Sequence, residues 1–309
     1  MTAAPRHILF ILLLLAAPSV ARAQFLEQAN AHYNKGQYKQ AITSYKKAVA
    51  AGENPTLCYF NLANTYFQQG ELAQAIVYYR ASIDAAPDFF MSHLNLAVTL
   101  YMLDEIGDAI ALLRRAAELK PDHLKVNMML AASYRRAGDL PTAAALFERI
   151  YEANPDQHKV CLSLGEIYRE MDDPVEAAKW LLRYPSGGEH FISVQQILAE
   201  ISEAEGDLDK AIYYLRKVAE SNKKNRWAFY QLVILLHRTG HALVALSEAE
   251  EGLEVYKDFA ELALFAGNTA FKEKLYSRAE EHYKLAVKLG SPNAVVGLEN
   301  IRTMRENAR

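Results

Sequence analysis

Few residues in this chain stand at spacings that could do chemistry. His237 and His241 have the i, i+4 separation by which one helical face offers two imidazoles to a metal ion. Gly240 lies between them at a turn position and breaks that shared face, so no metal site is assigned. There is no glycine-rich phosphate loop, no His-Glu-x-x-His pair and no Gly-x-Ser-x-Gly elbow. No catalytic residue and no cofactor follow from the sequence. What remains are carboxamides, aromatic rings and basic side chains suited to holding another polypeptide, and their use depends on the elements that present them.

Those elements repeat. Alanine recurs at 41, 75, 109, 143, 177, 211, 245 and 279, an interval of 34 residues each time. Five places before each alanine stands Gly36, Gly70, Asp104, Gly138, Asp172, Gly206, Gly240 or Lys274, mostly residues that tolerate the positive φ of a tight turn between helices. Leu62, Leu96, Leu130, Leu164, Leu198 and Leu232 keep the same period, each followed by a small residue except at Val233. Pro87, Pro121 and Pro155 close three of the units. The unit is therefore a helix pair, with Thr56 to Gln69 and Leu72 to Ala85 as the example in the second copy.

This spacing resembles the tetratricopeptide repeat (TPR) family. The second copy, YFNLANTYFQQGELAQAIVYYRASIDAAPD, carries Leu62, Ala63, Tyr66, Gly70, Ala75, Tyr79 and Pro87 in the order of the TPR signature. Eight copies tile residues 22–293. The resemblance implies an all-α, right-handed solenoid of eight helix-turn-helix repeats. It also implies a groove, lined by first helices, that takes peptide segments or folded partners.

Several segments stand apart from the repeats. Arg6 and His7 precede an apolar run from Ile8 to Ala17, and Ala21-Arg22-Ala23 supplies the small-residue pattern of a cleavage site before Gln24. Residues 1–23 thus read as a secretory signal peptide removed after Ala23, which puts the mature protein in the periplasm or outside the cell, with no stable membrane insertion. The competing reading is an uncleaved anchor, although the apolar run falls short of the ~20 residues that a span needs. Cleavage removes Arg6 and Arg22 and leaves 32 basic against 37 acidic groups, a formal charge of −5. Such a balance excludes nucleic acid as the expected partner, because phosphate binding needs clustered positive charge.

The domain organisation expected is repeats 1–5 over 24–184, a break at 185–190, repeats 6–8 over 191–293 and a capping helix over 294–309. Pro185-Ser186-Gly187-Gly188 cuts the fifth second helix about two turns short; it is either a hinge or an irregular turn inside an unbroken stack. The last segment carries Val295, Leu298 and Ile301 on one side and reads as the polar-backed cap that a solenoid end requires, or else as a partner-binding helix. Cys58 and Cys161 lie three units apart, too far for one disulfide when neighbouring helices are ~8–10 Å apart. They are buried small hydrophobes or the ends of an intermolecular bridge.

With the leucine, small and aromatic positions committed to packing, the opposite stripe of each first helix is the candidate protein-binding groove. It holds Asn30 and Tyr33 in the first unit, Phe60, Asn64 and Phe67 in the second, and Leu94, Asn95 and Tyr101 in the third. Lys125, Arg135 and Arg136 follow in the fourth, and Trp227 and Tyr230 in the seventh. The rival reading is that neighbouring helices bury these side chains. Asn64, Asn95 and Lys125 also match three positions at which some chaperone-binding TPR domains clamp a peptide carboxylate, but Phe60 and Met129 replace a lysine and an arginine of that clamp.

AHYNKGQYKQAITSY and the unit after it resemble the TPR proteins of the bacterial Bat aerotolerance group, which implies a cell-envelope complex. The function expected is a non-enzymatic envelope scaffold that binds protein or peptide partners. A periplasmic chaperone for extended clients and an accessory subunit of an envelope enzyme are the alternatives.

Overall fold

Each alanine on the 34-residue clock, from Ala41 to Ala279, is completely buried. A methyl group is all that fits where the second helix of a pair crosses its first, because interiors pack as tightly as organic crystals. The computed structural model describes residues 24–221 and 225–307, and the expected signal segment, 1–23, lies outside them. Among the described residues there are 17 α-helices and no strand.

The chain falls into two compact units that divide after Pro155. The first holds α1 (Gln24–Asn34), α2 (Tyr38–Ala50), α3 (Pro55–Gln68), α4 (Leu72–Ala85), α5 (Phe90–Met102), α6 (Ile106–Leu119), α7 (Leu124–Arg136) and α8 (Leu140–Ala153). The second holds α9 (His158–Glu170), α10 (Pro174–Leu181), α11 (Phe191–Ala204), α12 (Leu208–Ser221), α13 (Arg226–Arg238), α14 (Ala242–Val255), α15 (Ala260–Lys272), α16 (Tyr276–Lys288) and α17 (Asn293–Asn307). Within each unit every helix packs on the next, and α1, α3 and α5 also touch one another side by side.

The turn inside every pair is built in one way. All eight turn residues have positive φ, including Asp104 at 66°, Asp172 at 60° and Lys274 at 61°. In the first pair the Gly36 amide donates to the Tyr33 carbonyl at 2.9 Å and the Gln37 amide to the His32 carbonyl at 2.9 Å. Those two bonds satisfy carbonyls that the end of a helix would leave bare. The same pair of bonds recurs at Lys274 and Leu275, at 3.0 and 2.8 Å. The bonds impose the left-handed conformation on whatever residue stands there, lysine included.

The fifth pair departs from the others. The helix α10 has only 8 residues, and the chain then closes around Tyr184, which is buried. The His190 amide donates to the Tyr184 hydroxyl at 2.9 Å, and a Cβ on Gly188 would sit 2.4 Å from the ring. Residues 185–190, where the sequence places a break, lie inside the second unit, and the division into compact units falls about one helix pair earlier, after Pro155.

The capping helix docks through Leu298 and Ile301, two of the three residues expected on its inner side, but not through Val295. Ala294, Gly297 and Ile301 are buried and Leu298 packs beside them, whereas Val295 is 45% exposed. Gly297 is there because its Cβ would meet the Tyr283 ring at 2.4 Å, and Gly267 approaches the same ring from α15. Tyr283 is therefore held between two glycines.

Lys274→Gly should raise stability by about 1 kcal/mol, since glycine adopts the left-handed conformation without the Cβ penalty. Gly138→Ala should lower it by a similar amount. Denaturant unfolding of both variants measures the two effects.

Candidate protein-binding face

The asparagines of the first unit are held from within the fold. Tyr45 donates its hydroxyl to Asn30 Oδ1 at 2.7 Å, and Asn61 Nδ2 donates to the same oxygen at 3.1 Å. Tyr79 and Asn95 Nδ2 do the same for Asn64 Oδ1, at 2.6 and 2.9 Å. Both tyrosines are 1% exposed, and burial pushes their phenols well above the ordinary range, so they remain donors. With both acceptor sites of each oxygen occupied, neither carboxamide can flip without losing two hydrogen bonds. The Nδ2 groups of Asn30 and Asn64 are left as oriented donors with no partner among the described residues.

The tyrosine and asparagine travel together along the chain. Asn268 accepts from Tyr283 at 2.9 Å, again 15 residues apart. The intervening repeats lack both members and carry Val98 with Leu113, Ala132 with Phe147, Glu166 with Leu181, Glu200 with Leu215 and Ile234 with Ala249. A buried tyrosine hydroxyl needs its acceptor, so an apolar residue takes its place wherever the asparagine is missing.

Around these amides, Tyr33, Phe60, Phe67 and Tyr101 are half-buried and lean on the core of Tyr45, Leu62, Tyr66, Tyr79 and Leu100. Phe60 meets Phe89 edge-on, with ring centroids 5.3 Å apart. These rings serve packing with one side and keep the other accessible. Leu94, expected on the binding stripe, is instead a core residue, 2% exposed and enclosed with Phe90, Val126 and Leu130. A first helix packs against its own partner and against the following pair, so its apolar face is wider than one stripe.

The basic residues differ from one another. Arg136 lies over the Tyr101 ring at 4.8 Å, donates to the Tyr101 carbonyl at 3.0 Å and pairs with Asp104 at 3.0 Å. Arg135 is engaged within the protein as well. Lys125 is exposed and carries a charge unpaired among the described residues. Of the three clamp positions, Asn95 turns its donor inward to Asn64, and Met129 packs against the core beside Leu130.

In the second unit, Trp227 on α13 is 53% exposed and meets Tyr230 and Phe259 edge-on at 6.1 and 5.2 Å. Burial raises the Tyr230 phenol, helped by the nearby Glu261 carboxylate. His237 packs on the Phe265 ring, while His241 Nδ1 lies 3.0 Å from the Thr239 hydroxyl. Among the described residues no three His, Cys, Asp or Glu side chains gather to hold a metal ion. Cys58 and Cys161 are buried and form no disulfide with each other, and burial together with Glu53 pushes the Cys58 thiol up to about 11.

These helix pairs, their turns and their buried alanines define a helical repeat protein. The chain belongs to the tetratricopeptide repeat family: two family profiles of that description match residues 26–88 and 60–123, and 134–201, together more than half of its length. Members of the family are in general non-enzymatic scaffolds for protein or peptide partners. A search of curated protein sequences finds no match.

Solved structures share the fold. The C-terminal part of a TPR repeat-containing protein from Cytophaga hutchinsonii has a TM-score of 0.59 at 15% identity, over 89% of this chain and 99% of the other. A TPR protein from Parabacteroides merdae has a TM-score of 0.53 at 14% identity, over 80% and 99%. YrrB, described as a TPR protein with an unusual peptide-binding site, has a TM-score of 0.53 at 14% identity, over 60% and 96%.

Tyr79→Phe removes one of the two bonds that fix Asn64 and should cost about 1 kcal/mol. Asn64→Ala, which strands the Tyr79 hydroxyl in the core, should cost more, at roughly 1–3 kcal/mol. Chemical denaturation of the two single variants gives the order.

Proposed function

We propose that this protein is an exported scaffold of the cell envelope that binds an extended segment of a partner protein across α1, α3 and α5. The observation that carries the reading is the fixed carboxamide pair. Asn30 and Asn64 sit one repeat apart, and each holds a free Nδ2 donor beside half-buried aromatic rings. Such donors suit the backbone carbonyls of an extended chain, the rings suit its apolar side chains, and the exposed Lys125 suits an acidic residue or a terminal carboxylate. The peptide-binding site in the description of YrrB is consistent with this use of the fold. Export rests on the Arg6 to Ala23 pattern and the envelope setting on the likeness to Bat proteins.

Asn64→Asp tests the reading with little change of shape. The aspartate keeps the acceptor for Tyr79 and Asn95 but replaces the free donor with a second anionic oxygen. The variant should fold, and its affinity for a partner captured from native envelope should fall about tenfold or more. Val77→Ser, on the exposed side of α4, should leave the affinity unchanged. Equal affinity of Asn64→Asp and the parent protein would reject the face, and capture of many unfolded clients in place of one stoichiometric complex would favour a chaperone.

A further inference from the structure

Glu53 is the only carboxylate buried among the described residues, at 4% exposure. It stands at the phase that Pro87, Pro121 and Pro155 occupy in the next three repeats. There α4, α6 and α8 end in extended residues, Ala86, Lys120 and Asn154, as the position before a proline requires. The helix α2 ends differently: Gly52 has φ 72°, and the Glu53 amide donates back to the Ala48 carbonyl at 2.9 Å. That reversal delivers the Glu53 side chain to the start of α1.

At that position the carboxylate accepts two amide protons, from Phe25 to Oε1 at 3.3 Å and from Leu26 to Oε2 at 2.8 Å. It caps α1 from 27 residues away in sequence, a task that Asn54 performs for α3 within its own turn. The positive end of the helix dipole favours the charge. Yet no Lys, Arg or His side chain among the described residues pairs with it, and a buried carboxylate without a counter-charge is costly. The two amides it accepts from, those of Phe25 and Leu26, directly follow Gln24, the first residue after the expected cleavage site.

We propose that Glu53 is the receptor for the amino terminus created by signal-peptide removal. A signal peptidase would hydrolyse the Ala23–Gln24 bond with one water, leaving a carboxylate on Ala23 of the released peptide and a freed nitrogen on Gln24 that takes up a proton. The resulting ammonium precedes the Phe25 nitrogen by one residue, a rise of ~1.5 Å along the helix, and supplies the buried Glu53 carboxylate with a counter-charge from the exposed side. In the unprocessed chain the same nitrogen is a neutral amide and the pair does not exist. Among the described residues α1 packs chiefly on α2 and α3, and the ion pair formed on maturation would fix its start against the end of α2. The proposal rests on the export reading above.

Two measurements separate the proposal from that reading. The full-length protein, exported and purified, is examined by N-terminal sequencing and intact mass. A chain starting at Gln24 with a free amine is expected; an unprocessed chain defeats the export reading and the proposal with it, and a processed chain starting at any other residue defeats the proposal alone. A mature chain lighter by one ammonia, its terminal glutamine closed to a neutral lactam, defeats the proposal alone.

Hydrogen exchange of α1 is then compared for the chain starting at Gln24, the same chain acetylated at Gln24, and a chain with Gly-Ser before Gln24. Acetylation or extension should speed exchange at Phe25 and Leu26 about tenfold, and the difference should vanish in Glu53→Gln. Equal exchange in all three chains overturns the proposal. The comparison of free with acetylated chains needs no substitution, so it holds even where Glu53→Gln loosens the first repeat.

Discussion

The structure depends on one close contact, the crossing of the two helices in each pair. Its tightness shows in how neighbouring positions trade volume. Gly165 faces Leu181, and a Cβ there would lie 2.4 Å from the leucine; Gly267 faces Tyr283 in the same way at 2.6 Å. In the seventh repeat the small position is instead filled by Val233, and the residue sixteen places on shrinks to Ala249, with both buried in one cluster. At each of these crossings a small residue on one helix faces a larger one on the other, as a close-packed interior demands. Isolated helices of this length are marginal in water, so this contact and the stacking of pairs are what make them helices.

The polar face proposed for binding is a by-product of that packing. A tyrosine that fills the crossing carries a hydroxyl into the core, and the hydroxyl must find an acceptor. The carboxamides of Asn30 and Asn64 supply it from the first helices, and in doing so they expose their nitrogens. Where the core residue is Leu113 or Phe147 no acceptor is needed, and Val98 and Ala132 offer none. The polarity of the face thus follows, repeat by repeat, from what the core requires. Beside it, Arg136 is tied to Asp104 and Tyr101, whereas Lys125 is exposed with no ion pair among the described residues.

Most of the architecture was legible because it rests on local periodicity. The buried alanines, the turn residues and the second helix Leu72–Ala85 all follow from the spacing of small and left-handed residues. Lys274 was the least readable of the turn residues, since its conformation is dictated by flanking hydrogen bonds and not by its own preference. The candidate stripe was legible only in part. Leu94 looked free because a helical wheel has two sides, whereas the following repeat supplies a third contact. The link of Asn30 to Tyr45 was readable as a spacing of 15 that appears and disappears as a unit. Glu53 was not, because its role arises from contact with amides 27 and 28 residues away.

The central claim is that tyrosines in the core aim asparagine nitrogens at a partner. Side-chain amide resonances of Asn30 and Asn64, followed by NMR while a captured partner segment is titrated in, test it most directly. The account predicts that both move and saturate together, with the signals of Tyr45 and Tyr79 little changed. Saturable binding that leaves both asparagine amides where they were would contradict it.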